Sequence, residues 1–226
     1  MVIPYNELIF LFHITLMSLS TLAALRMGKE ALVAFISLQA VLANLFVVKQ
    51  ISLFGLTATG SDAFTIGTVL GLNLLQEYYG AEIAQKSIWI SFGSLVFYGI
   101  VSQVHIGYLP HMCDTMQPHF IALLNEMPRI VIASFTVYFL AQQLDYALYG
   151  ILKRLFDGKY LVLRNYCSVL VVQLFDTVLF SFLGLYGILD NVWQIIAVSY
   201  TIKVIAILIS TPFLALSRNL YKPSES

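Results

Sequence analysis

A succession of long apolar stretches, separated by short polar joints, dominates this chain. Seven of them qualify as membrane spans, near residues 7–26, 31–50, 62–79, 86–106, 127–150, 164–186 and 191–216, because a helix crosses the hydrocarbon core with roughly 20 mostly apolar residues. Within that core every backbone N–H and C=O must be satisfied inside the protein, which leaves helices or closed barrels. Barrel strands would show as short alternating segments, and none is visible. The fold class is therefore read as all-α, a polytopic transmembrane helix bundle of about seven spans, with residues 1–226 forming one integral membrane domain. Only 11% of the residues are charged and 59% are hydrophobic, whereas soluble domains are roughly a quarter charged, so little soluble mass is expected beyond the loops.

The joints set the expected orientation, since Lys and Arg near span ends favour the cytoplasm. Nine of the twelve basic residues fall in alternate connections or the tail: Arg26, Lys29, Lys86, Lys153, Arg154, Lys159, Arg164, Arg218 and Lys222. The intervening connections "ISLFGLTATGSD", "HIGYLPHMCDTMQPHFIALLNE" and "YGILDN" carry none. This pattern predicts an external N-terminus and a cytoplasmic C-terminus. The opening "MVIPYNELIF" has no basic n-region, so it reads as a retained first span and not as a signal peptide. The three basic residues left over are Lys49, Arg129 and Lys203. Charge at membrane depth costs at least ~2.5 kcal/mol on insertion scales, so each calls for a partner or an aqueous cavity.

Lys203 has a candidate partner. The sixth and seventh spans form a hairpin about the turn "YGILDN", and Asp176 lies twelve residues before its centre at Ile188 while Lys203 lies fifteen after it. With a 1.5 Å rise per residue the two reach similar depth near the midplane. Such a pair can serve packing alone or a ligand site. Further polar residues sit on other spans: Asn44 on the second, Asn73 and Glu77 four apart on the third, Tyr138, Gln142 and Asp145 on the fifth, and Gln173 three before Asp176 on the sixth. One intramembrane polar residue is unremarkable, but five spans each contributing amide or ionisable groups suggest a polar cavity. The third span is weakly apolar, which fits a cavity-lining or broken helix. Its Gly67 and Gly71 read more simply as a close-packing seam.

Other chemistry is thinly represented. His105, His111 and His119 cluster near one connection, and His13 reads as a packed helix residue, so no metal-ligand spacing or nucleophile–base arrangement stands out. No phosphate-cradling glycine loop is present. Cys113 and Cys167 make neither a disulfide framework nor a zinc site. Zero net charge offers no basic face for nucleic acid. No cofactor and no metal are expected, and the chain is not read as an enzyme.

Several stretches, in order, resemble the queuosine precursor transporter family, also called the vitamin uptake transporter family: "ANLFVVKQISLFGLTATGSDAF", "NLLQEYYGAEIAQKSIWISF", "RIVIASFTVYFLAQQLDYALYGILKR", "QLFDTVLFSF" and "SYTIKVIAIL". The resemblance runs from about Val41 to the end of the seventh span. It implies multi-pass inner-membrane uptake of a 7-deazaguanine base, prequeuosine or queuine, for tRNA modification. Asn44 and Lys49 match the family's Asn and Lys at the end of the second span, and Glu77 with Tyr79 and Gly80 matches its Glu-x-Tyr-Gly element. Arg129, Ser134, Gln142 and Asp145 match its fifth-span pattern, Asp176 with Thr177 its Asp-Thr pair, and Lys203 its last-span lysine. Asn73 stands where the family usually has Asp, replacing an acceptor-only carboxylate by an amide.

A deazaguanine presents N–H and amino donors along one edge with a carbonyl beside them, which suits a carboxylate and flanking amides. On that implication Asp176 or Glu77 takes the donor edge. Gln173, Gln142 and Asn73 supply amide contacts, with Asn44, Tyr138 and Asp145 completing the wall, and Lys203, Arg129 and Lys49 act as charge partners or gates. The expected partners are a small purine-like substrate and the lipid bilayer. A homo-oligomer and a separate ATPase partner stay open, the latter because a membrane-embedded binding subunit of an ATP-driven importer is the first alternative and an intramembrane enzyme the second.

Overall fold

The computed structural model describes residues 5–156 and 161–220, with backbone alone at 146, 149, 150, 153, 161–166 and 208–220. Lys159 and Lys222, two of the basic residues used to orient the chain, lie outside the described residues. Seven long helices follow one another: α1 (Tyr5–Met27), α2 (Lys29–Phe46), α3 (Asp62–Tyr79), α4 (Ala81–Ile106), α6 (Met127–Leu155), α7 (Leu161–Phe180) and α8 (Val192–Leu220), with the short α5 (Gln117–Leu124) before α6. Single glycines make two of the sharpest joints. Gly28 between α1 and α2 has φ 110° and Gly80 between α3 and α4 has φ 90°, backbone conformations that other residues adopt only at a cost.

Among the described residues, five segments are long and apolar enough to cross a membrane: Tyr5–Met27, Lys29–Phe46, Ala81–Ile106, Gln117–Asp145 and Cys167–Leu185. The other two expected spans form as helices but differ in character. α3 has 18 residues yet carries Asp62, Asn73, Gln76 and Glu77, while the apolar part of α8 among the described side chains is the shorter stretch Val192–Ile207. The chain is thus a polytopic helical membrane bundle whose third helix relies on protein neighbours. It packs against α1, α2, α4 and α8. A Cβ on Gly67 would stand 2.0 Å from Gln39 Oε1, and one on Gly71 would stand 2.7 Å from Ile36 Cγ1, so these glycines let α2 and α3 approach closely.

The connection after α2 corrects the sequence reading. The second helix ends at Phe46 instead of continuing to 50, and an antiparallel hairpin follows, β1 (Gln50–Leu53) paired with β2 (Leu56–Thr59). Its two-residue turn, Phe54 (φ 52°) and Gly55 (φ 77°), has the positive φ values of a type I′ turn, whose twist matches paired strands. Four-residue strands are too short to reveal alternation, and Phe-Gly lacks the usual Asn-Gly signature, so this hairpin was not legible beforehand. It is tied on both flanks. Asn6 Nδ2 donates to the Ser52 carbonyl at 3.0 Å, the Phe54 N–H donates to Glu7 Oε1 at 2.7 Å, and the Thr57 N–H donates to Gln194 Oε1 at 3.0 Å. Strand β2 runs from an exposed Leu56 to a buried base at Ala58 and Thr59, whereas in β1 the buried residue is Leu53, beside the turn.

Two apolar clusters close the bundle at its ends. Leu22, Leu25, Leu32, Ile36, Leu70 and Leu74 form one; Val47, Met127, Ile130, Leu185, Leu189 and Ile195 form the other, beside the hairpin and the α7–α8 turn. Between them the packing is incomplete.

Candidate functional site

That gap is a cavity of about 300 Å³, and α2, the base of β2, α3, α4, α6, α7 and α8 all contribute to its wall. Asp176 and Lys203 meet inside it: Lys203 Nζ lies 2.5 Å from Asp176 Oδ2, with side chains 16% and 29% exposed for Lys203 and Asp176 respectively. The depth argument across the α7–α8 hairpin placed both at one level, and the helix rotations bring their faces together. Asn44 and Tyr138 share the same wall. Asn44 Nδ2 donates to the Ala40 carbonyl at 2.9 Å, and its Oδ1 accepts from Ser134 Oγ at 3.0 Å, so α2 and α6 are joined at the cavity edge.

A second cavity of about 330 Å³ adjoins the first. Phe92, Leu95, Tyr138 and Asp176 line both, which makes them the partition between the two. Gln142 and Gln173 belong to this second chamber, with Thr68, Leu72 and Ser91. The Phe92 and Tyr138 rings lie 4.8 Å apart at 55°, and Trp89 and Phe135 extend the aromatic group behind them.

The remaining expected residues stand elsewhere. Asn73 is half-buried and Glu77 exposed, on a side of α3 turned away from the cavity-lining positions Asp62, Thr65, Thr68 and Leu72. Residues 65 and 72 are seven apart and share a face, whereas 73 and 77 lie about 100° and 140° round the helix from 72. Asp145 Oδ1 accepts from Ser168 Oγ at 2.7 Å, linking α6 to α7 without lining either chamber. Lys49 is exposed in the turn before β1, and its carbonyl accepts from the Gly60 N–H at 2.7 Å. Arg129 holds the end of α7. Its Nε donates to the Leu183 carbonyl at 2.9 Å and its Nη2 to the Tyr186 carbonyl at 2.6 Å, where a cation also meets the negative end of the helix dipole. Leu183 belongs to a π turn, Ser181–Leu185, that continues α7, a widening often found at functional sites, and Ser181 and Leu185 line the first cavity.

The principal residue missed by sequence reasoning is Asp62. It is 5% exposed, lines the first cavity and starts α3. Its Oδ1 accepts from Ser199 Oγ at 2.7 Å and its Oδ2 from the Thr59 N–H at 3.2 Å. The Lys203 charge acts on Asp62 as well as on Asp176. Ser199 precedes Lys203 by four, so both stand on one face of α8; that spacing was the available signal. Ser199 is seven residues into α8, about 10 Å below its start. The hairpin therefore carries non-helical backbone well into the bundle, which is tolerated where it is buried in protein or lines a cavity.

A polar chamber built at the meeting point of several membrane helices, partitioned by aromatic rings and capped by apolar clusters, is the arrangement of a small-molecule transporter. The description "Putative vitamin uptake transporter" matches residues 59–217, and the chain belongs to that family. A curated relative, the "Probable queuosine precursor transporter" of Bacillus subtilis (strain 168), is 36% identical over 191 residues, covering 82% of each chain. No solved structure gives a significant match.

Proposed function

We propose that the chain, acting as a single multi-pass domain of the cell's inner membrane with its N-terminus outside, imports a queuosine precursor, a 7-deazaguanine base used for tRNA modification. The observation that carries this reading is the Asp176–Lys203 pair at the partition of two adjoining chambers, in a chain 36% identical to a protein named for that transport. Lys203 occupies one Asp176 oxygen. The other oxygen is an acceptor for the N–H and amino edge of a guanine-like ring. Phe92 and Tyr138, packed against each other at the partition, offer an aromatic surface beside that point, and base–aromatic stacking is worth roughly 1–3 kcal/mol. Asn44 in the first chamber and Gln142 and Gln173 in the second supply amides along the path.

Import in this scheme moves the base from the first chamber past the partition into the second, while the apolar clusters at the two ends open in turn. Arg129, by holding the π turn and the end of α7, sets the wall against which that opening occurs. Asn73, Glu77, Asp145 and Lys49 lie outside the walls of both chambers and in this scheme do not contact the base.

Reconstitution of the purified chain into liposomes, with a labelled 7-deazaguanine and with or without a pH gradient, tests the proposal. Uptake above that of empty vesicles is the expected result. Vesicles that bind the base without accumulating it would instead indicate a binding subunit that needs an ATPase partner.

A further inference from the structure

The first chamber is lined by two carboxylates, Asp62 and Asp176, and one ammonium, Lys203; its other lining residues are uncharged. With both carboxylates ionised, one negative charge is in excess in this chamber, where Asp62 itself is buried. Such a charge is costly unless it is neutralised by a proton or by a cation. The two carboxylates are not equivalent. Asp176 is committed to Lys203, whereas the hydrogen bonds to Asp62 come from neutral groups, the Ser199 hydroxyl and the N–H and side chain of Thr59, with the Lys203 charge acting on it without a direct bond. A carboxylate has about four acceptor positions, so about one on Asp62 remains for a ligand in the chamber it lines.

We propose that Asp62 is the counter-charge for a cationic substrate, so that the transporter selects a deazaguanine bearing a protonated amine on its side chain over one of the same ring system with an uncharged substituent. This rests on the transport reading above and adds the charge class of the substrate to it. In this arrangement the ring's neutral donor edge goes to the open Asp176 oxygen and the ammonium goes to Asp62. Lys203, paired with Asp176, and the substrate ammonium together balance the two carboxylates, so the loaded chamber is neutral overall. The amine also makes a charge-assisted hydrogen bond with Asp62, stronger than a neutral one.

The test uses two labelled 7-deazaguanines, one with an aminomethyl and one with a nitrile substituent, taken up by proteoliposomes of the wild type and of Asp62→Asn. The Asn is isosteric and keeps both ties, with Oδ1 accepting from the Thr59 N–H and Nδ2 donating to Ser199 Oγ. Wild-type protein is expected to favour the amine at least tenfold, and Asp62→Asn to lower that ratio by about tenfold, or about 1.4 kcal/mol. Equal uptake of both bases by the wild type overturns the selectivity while leaving transport intact. A wild type that imports neither base overturns the transport reading itself. An unchanged ratio in Asp62→Asn overturns the role of Asp62, and if pH-gradient dependence disappears at that unchanged ratio, the excess charge serves a proton.

Discussion

Asp176 on α7 and Lys203 on α8 form a salt bridge at the partition between two chambers, 2.5 Å apart and each less than a third exposed. Removing either member strands the other in a poorly hydrated site, which is more damaging than replacing both. Asp176→Asn and Lys203→Ala are each expected to lower uptake of the base at least tenfold, with the protein still present in the membrane. The double variant Asp176→Leu with Lys203→Leu should insert stably and stay inactive. Recovery of uptake in the double variant would make the pair purely structural.

Tyr138 lines both chambers and packs against Phe92. Tyr138→Ala removes a stacking face worth roughly 1–3 kcal/mol, so base affinity measured by calorimetry or equilibrium binding should fall about tenfold. Tyr138→Phe keeps the ring and should stay within about threefold of wild type. An equal loss in both variants would assign the effect to the hydroxyl.

Gly71 sits where a Cβ would come within 2.7 Å of Ile36 Cγ1. Overpacking of this kind typically costs about 1–3 kcal/mol, against a gain of about 1 kcal/mol from replacing glycine in a helix. Gly71→Ala should therefore melt below the wild type in detergent. Adding Ile36→Ala removes the clashing atoms, and the double variant should be more stable than the sum of the single effects. Strict additivity would show that α2 and α3 do not meet there.

Arg129 donates to the carbonyls of Leu183 and Tyr186. Because its side chain is exposed, water replaces part of what is lost, and Arg129→Ala should cost about 1 kcal/mol, a lowering of the melting temperature by a few degrees. Arg129→Lys keeps the charge but loses the fork that reaches two carbonyls, so it should fall between the two. A melting curve of Arg129→Ala that overlays the wild type would remove the helix-end role.

Cys113, exposed between α4 and α5, and the half-buried Cys167 on α7 allow the orientation to be read directly. In a Cys167→Ser background, a membrane-impermeant maleimide should label Cys113 in intact cells. Labelling that needs permeabilised cells would invert the topology.

Much of this protein was legible from its residues alone. Twenty-residue apolar runs permit only helices in a bilayer, and α1, α2, α4, α6 and α7 follow from them. The Asp176–Lys203 pair was readable because a hairpin of two helices with a short turn fixes depth by counting. Asn73 and Glu77 illustrate the limit of that method. They share a helix face, but which face of α3 borders the cavity depends on its contacts with α1, α2, α4 and α8, and those turn Thr65, Thr68 and Leu72 inward instead.

The hairpin and Asp62 mark the division most clearly. The sequence by itself determined the solvent, the number of long helices and the presence of ionisable groups at membrane depth, because hydrophobicity and rise per residue are local properties. Only the tertiary structure decided that the segment after α2 folds back as paired strands, and that this carries Thr59 and Asp62 against Ser199. Only there, too, did the chamber acquire a second carboxylate, since charge balance in a cavity depends on which distant segments close around it.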